Sequence, residues 1–453
     1  MRNKVEIKIK HNWISPVIVL LAFFLFTLIP NLRADEAATD QGSGGRWSNL
    51  GSKLKSAMPK IQNPLSELGS EDAGSKPRIT PHLHANSGYT SNATLKRKAQ
   101  SAWIANVSPG VSLDLPLSDK LYSSLGYTYT LSETQGKNIH AHSNGHTLEA
   151  TLKYDLSKDT SFGARNGLYW SELAGSPGNN YLMEAASAGV KHNFGSRLTG
   201  GANYNYEHFR DVTVTNALTP NDTYDDNGAT ADASYKITDD LAVSPTFAWN
   251  IRRFEKVEQK NFWQIAPGVG TEYQLGTKTK IGGNFGWGYR SFSQGDGYES
   301  ELLYGAWLSH LLSRKINWSI KYDKTLQDTF DSRYAKIKSG ATTDLDNFDR
   351  RFRVVKNHRL STELGYSINE KNSISTYGAF QFTKADANDN VFTNDENEEQ
   401  KMSIGIGYNY RLTRYLTFTL GYDFSRNFQT QNNNPFSERY TAHQINAGAG
   451  LSF

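Results

Sequence analysis

The residues best equipped for chemistry are three histidines in one polar stretch, "NIHAHSNGH", which places His140, His142 and His146 close together. A His-x-His pair with a third imidazole nearby is a set that zinc or copper uses. Carboxylates are few around it, so the segment, which overlaps the long polar stretch 132–145, reads as an exposed polar loop and no metal is expected. A second cluster, Asp386, Asp389, Asp395 and Glu396, offers oxygen ligands of the kind calcium takes. It lacks the regular EF-hand spacing and its glycine, and reads as solvated surface. Nucleophilic catalysis is poorly supplied. The chain has no cysteine and no GxSxG motif, and His310, His358 and His443 stand isolated. Neither an enzyme nor a cofactor is expected.

Charge is the other resource. Glu149, Lys153, Asp155, Arg252, Glu272, Arg290, Lys321, Asp323, Glu363, Arg411 and Asp423 carry both signs. Each lies on the polar side of a segment whose other side is apolar. Gathered around an aqueous interior they would tune the passage of charged or polar solutes. Equally, they would do no more than pair with one another. A basic run, "RRFRVVKNHR", adds Arg350, Arg351, Arg353 and Lys356 directly after the long stretch 326–349. If that stretch folded inward, the run would form a basic constriction. The alternative is a loop standing on the surface.

What must position these groups is a set of strands. "TLEATLKYDL" puts Leu148, Ala150, Leu152, Tyr154 and Leu156 on one face and Glu149, Thr151, Lys153 and Asp155 on the other. "LTFTLGYDF" opposes Leu416, Phe418, Leu420, Tyr422 and Phe424 to Thr417, Thr419, Gly421 and Asp423. That two-residue period is the signature of a strand with one apolar face. About eighteen such runs lie between Arg78 and Phe453, most of 9–15 residues. Soluble sandwich strands are nearer 5–6, whereas a tilted strand crosses a bilayer in about 9–11.

The connections carry a second signal. Eight are short: 117–120, 156–159, 194–196, 236–240, 275–278, 312–315, 368–372 and 411–414. The others, such as 132–145, 210–226, 326–349 and 383–399, are longer and more polar, and the two kinds alternate. Transmembrane barrels show this asymmetry, with short periplasmic turns and long outer loops. Eighteen strands need seventeen connections, eight of one kind and nine of the other, with both termini on the short-turn side. A sheet in lipid must also close, so the strands at Arg78 and Phe453 are expected to pair. The fold class is therefore all-β, a closed antiparallel transmembrane β-barrel of about 18 strands (16–18).

Composition agrees. The 453 residues include 38 Gly, 24 Tyr and 22 Phe, at 37% hydrophobic content and a mean hydropathy of -0.60. These values disfavour a helical membrane protein and suit strands with interfacial rings. Residues 1–34 read as a signal peptide: Arg2, Lys4, Lys8 and Lys10 precede the apolar run 14–30. Residues 35–77 are rich in Gly, Ser, Ala and Pro and read as a flexible periplasmic leader, leaving 78–453 for the barrel. Without 1–34 the chain keeps 44 basic and 44 acidic residues, so its basicity is no nucleic-acid signal and no nucleic-acid partner is expected.

From Arg78 onward the chain resembles Gram-negative outer-membrane β-barrels of the porin-like kind. The sharpest element is its ending, "HQINAGAGLSF", with Ile445, Ala447, Ala449, Leu451 and Phe453 alternating with small or polar residues. It looks like the signal read by the barrel assembly machinery, which the resemblance assigns to Ile445, Leu451 and Phe453. "HANSGYTSNATL" (84–95) and the strand count are more loosely similar to β-barrel porins associated with exopolysaccharide export. The resemblance implies a cell outer-membrane channel for passive diffusion or export of polar solutes, polysaccharide among them, with both termini in the periplasm. Membrane lipid and lipopolysaccharide are its expected surroundings. The contrasting expectation is a plugged or structural barrel that anchors or binds other components.

Overall fold

A computed structural model describes residues 76–93, 99–137, 139–174, 181–211, 223–255, 261–293, 298–328, 352–387, 397–428 and 439–453. The signal peptide, the leader up to residue 75, most of 326–349 and most of 383–399 lie outside the described residues.

Eighteen strands follow one another along the chain. The first six are β1 (Arg78–Thr90), β2 (Ala102–Ser118), β3 (Leu121–Gly136), β4 (Ile139–Ser157), β5 (Thr160–Ala174) and β6 (Tyr181–Asn193). Next come β7 (Leu198–Asp211), β8 (Tyr224–Lys236), β9 (Leu241–Phe254), β10 (Phe262–Leu275), β11 (Thr279–Phe292) and β12 (Tyr298–Ser313). The last are β13 (Ile316–Asp328), β14 (Phe352–Ser367), β15 (Asn372–Ala387), β16 (Asn397–Arg411), β17 (Leu416–Asn427) and β18 (Tyr440–Ser452). Each pairs antiparallel with its chain neighbours, and β1 pairs with β18 from His82↔Ser452 to Thr90↔Gln444. The sheet is a closed ring, so no strand edge is left with unpaired backbone groups.

Alternation decides what faces where. Among the described residues, 41 large apolar side chains are exposed while 11 hydrophobic residues are buried. That is the reverse of a water-soluble fold. The exposed set occupies one face of each strand: Trp103 is 62% exposed and Phe285 54%. The opposite, inward face carries Ser, Thr, Asn, Gly and the charged residues.

The two ends of the ring differ. At one end lie eight short connections, each with an apolar residue at or just before its start: Leu117, Leu156, Phe194, Ile237, Leu275, Leu312, Ile368 and Leu412. Their local chemistry repeats. Ser118, Thr238, Asn369 and Thr413 each accept backbone N–H bonds from the residues two and three positions on. Such side-chain caps hold tight turns alongside backbone bonds such as Ile237 N–H to Leu241 O and Leu412 N–H to Leu416 O, both 2.9 Å. Gly195 and Gly276 serve two others, with φ of 112° and 67° that a side chain would oppose. The start of β1 and the end of β18 also lie at this end, where Arg78 opposes Asp114 and Ser452 opposes His82.

Three expectations change. Residues 132–145 are not a loop: β3 and β4 continue to Gly136 and from Ile139, with only 137–138 between them. The two kinds of connection therefore do not alternate strictly in length. The strands are also longer than expected, from 12 residues in β17 to 19 in β4. The lost loop and the broken alternation have one cause. Polar residues continue the β3–β4 ladder beyond its apolar stretch, and hydropathy alone mistakes them for a loop.

Candidate pore lining

The eleven charged residues of mixed sign all lie among the described residues, and Glu149, Arg252, Arg290 and Asp423 face inward. Arg252, on the inward face of β9 with Ser244, Thr246 and Asn250, donates through Nε and Nη2 to Asp226 Oδ2 (Nε at 2.7 Å). Its guanidinium lies 4.6 Å from the centre of the Tyr224 ring. Arg290 on β11 donates from Nε and Nη2 to Gln264 Oε1 at 2.9 and 2.7 Å, and rests 4.1 Å from the Phe262 ring. Arg252 lies 5.8 Å from the centre of the same ring. The two arginines thus form one patch at the long-connection end of β8–β11, held by hydrogen bonds and ring faces together.

Glu149 and Asp423 stand on other walls. Glu149 on β4 accepts from Arg165 Nη2 at 3.1 Å and Tyr169 Oη at 2.9 Å. Asp423 on β17 accepts from Tyr377 Oη at 2.7 Å and from Asn446 Nδ2 at 3.4 Å. Gln444 donates to Asn446 Oδ1 at 2.8 Å, extending the polar wall across the closing seam. Beyond it, Asn106 donates to Asn86 Oδ1 at 2.7 Å. Arg350 and Arg351 lie outside the described residues, and of Arg353 only the backbone, in β14, is described.

Sequence reading missed an aromatic arc. Tyr169, Met183, Phe209, Tyr224 and Phe254 make one buried cluster on β5–β9, and Phe262 packs with Phe292 on β10–β11. The available signal was position: Phe209, Tyr224, Phe254, Phe262 and Phe292 each flank a longer connection on the inward register.

Toward the short turns the inward face is different. Lys153–Asp155 (3.9 Å), Lys280–Glu272 (3.4 Å) and Lys321–Asp323 (3.0 Å) are ion pairs open to solvent. Lys321 is 57% exposed there, whereas Arg290 is 4% exposed and Asp423 2%. The inward surface is therefore wet at one end and closely packed at the other. In each of these pairs a cation lies against a carboxylate, so among the described residues these three pairs carry no excess of one sign.

Ile445 and Phe453 project outward, at the same seam where Asn446 points in. Leu451, paired with Leu83, shares their face. His443 also faces outward, its Nδ1 hydrogen-bonded to Tyr422 Oη at 2.8 Å. His146 behaves alike with Tyr127 Oη at 2.9 Å, and His358 with Tyr322 Oη at 2.8 Å.

No protein-family model and no curated protein matches the sequence. Among solved structures, the chain is similar to OccK5 (OpdH) of Pseudomonas aeruginosa, with 10% identity and a TM-score of 0.47 over 83% of this chain and 98% of that one. It is similar to the FrpB iron transporter of Neisseria meningitidis, with 9% identity and a TM-score of 0.48 over 87% and 83%. The ferric enterobactin receptor PfeA of P. aeruginosa matches at 9% identity and a TM-score of 0.46 over 82% and 80%. Likeness this distant says nothing of what the present chain carries.

Proposed function

We propose that the protein is an outer-membrane channel through which polar solutes pass by diffusion or export. The observation that carries this reading is the two-faced ring: apolar side chains outward on every side, hydrogen-bonded polar and charged groups inward. A bilayer covers the first face, and water fills or wets the second. Eighteen strands enclose a lumen wide enough for an aqueous path. The short turns and both barrel termini then face the periplasm, and the longer connections face lipopolysaccharide. The ending at Ile445, Leu451 and Phe453 serves the barrel assembly machinery, as its exposed apolar face would allow.

Transport here needs no bond chemistry. Solute would meet a wet vestibule of paired charges first and the packed end, with Arg252, Arg290 and Asp423, afterward. Because the described lumen pairs are balanced, the channel discriminates weakly by charge. Polysaccharide, a polyhydroxylated chain, suits a wall of Asn, Gln, Ser and Thr, and an exopolysaccharide is the preferred cargo. Planar-bilayer recording of the purified barrel tests the reading. Stepwise conductance in salt supports it. Repeated insertion without steps refutes it and favours a barrel that anchors or binds other components.

A further inference from the structure

The β3–β4 register produces a cluster that sequence spacing does not show. Glu133 and His142 are direct cross-strand partners, and Gln135 opposes His140. All three groups of interest share the outward face. His142 Nδ1 lies 2.9 Å from Glu133 Oε2, and His140 Nδ1 lies 3.6 Å from Oε1. One carboxylate thus stands between two imidazoles that a single residue separates in the chain.

We propose that Glu133, His140 and His142 form a surface site for a divalent cation of the zinc class. Two histidines with one carboxylate are a common ligand set for zinc, which leaves a fourth position to water. Around a tetrahedral ion with bonds of about 2.0–2.1 Å, neighbouring ligand atoms stand roughly 3.3 Å apart. The two observed nitrogen–oxygen separations, 2.9 and 3.6 Å, fall on either side of that value. As they stand, the imidazoles address different oxygens, and no three groups already converge as a cage among the described residues. Closing the cage asks for a turn of His140, whose side chain is 73% exposed and free to swing. Each ligating imidazole then carries its proton on Nε2 and offers Nδ1 to the metal.

Position favours access. A strand rises about 3.3 Å per residue and tilts by about 40°, so Glu133 stands roughly 30 Å along the barrel axis from Leu121. That exceeds an apolar band of about 25 Å. The site therefore projects beyond the lipid on the side of the longer connections. His146, four residues further along β4, is engaged by Tyr127 and stacks 5.3 Å from Trp170, so it is not a ligand. Two inward histidines, His82 and His84, with ring centres 5.8 Å apart, form a separate pair without a carboxylate between them.

Calorimetric titration of the full barrel in detergent with Zn²⁺ alone tests the site, and its outcome does not depend on conductance. The wild type is expected to show one saturable site. Glu133→Gln and His142→Asn should each weaken it at least tenfold, while His146→Asn and the double variant His82→Asn/His84→Asn leave it unchanged. Heat-modifiable electrophoretic mobility checks that each variant is a folded barrel, and His140→Asn replaces any that is not. Unaltered affinity in Glu133→Gln/His142→Asn, or no saturable Zn²⁺ binding by the wild type, overturns the proposal.

Discussion

At the scale of residues, the inward wall is organised by acceptors that collect donors from neighbouring strands. Asp423 draws Tyr377 from β15 and Asn446 from β18 onto β17, and so ties three strands together. Gly405 makes room for this: a Cβ there would lie 2.1 Å from Tyr377 Cε1 and 2.6 Å from Asp423 Oδ1. Replacing Asp423 by Leu strands the tyrosine hydroxyl and the amide in a buried wall. The expected loss is about 1–3 kcal/mol, read from urea unfolding of the barrel in lipid vesicles. An unchanged midpoint would mean that water already satisfies those donors. The zinc site belongs to this scale as well, since it depends on one carboxylate standing opposite one imidazole.

At the scale of elements, the closing seam is the decisive pairing. Ser87 opposes Ala447 directly across β1 and β18, both on the outward face. Directly opposed Cβ atoms in an antiparallel pair lie about 4.5–5.5 Å apart, near disulfide reach. Ser87→Cys with Ala447→Cys is therefore expected to oxidise within one chain, giving a product whose unfolded form migrates faster than the reduced form. Failure to cross-link, with both thiols titratable, would argue against this register. The same strand ends in Phe453, which stacks 6.2 Å from Tyr415 at the short-turn rim. Deleting Phe453 is expected to lower outer-membrane yield while leaving synthesis unchanged. Equal yield would detach this residue from assembly.

At the scale of the whole molecule, charge balance on the wet part of the wall has a measurable consequence. With the carboxylates of Asp155, Glu272 and Asp323 each within 4.0 Å of a lysine nitrogen, no net field of one sign builds up around the described vestibule. Under a potassium chloride gradient the reversal potential should stay close to zero. A strongly cation- or anion-selective channel would place the controlling charges elsewhere. The natural suspects would be Arg350 and Arg351.

Much of this was legible in the chain because a membrane barrel repeats one rule. Alternation sets the inward and outward faces of each strand independently of its partners, so Glu149, Arg252, Arg290 and Asp423 could be placed inward before any pairing was known. Turn chemistry marks eight strand ends for the same local reason, as in "LSDK" and "LSRK". The extent of β3 and β4 was not legible, because polar residues past the apolar stretch look the same in a ladder as in a loop. The aromatic arc escaped as well, since Phe209 and Tyr224 belong to different strands and stand opposite one another only once the register is set.

The sequence by itself determined the two faces, the number of strands and the parity that brings both barrel termini to one rim. These follow from a two-residue period and from the need to satisfy the backbone. Only the tertiary structure decided which residues stand opposite one another. Register is a property of pairs of strands, and no single strand encodes it. It set Asp423 beneath Tyr377, laid two arginines against Phe262, and put Glu133 between His140 and His142.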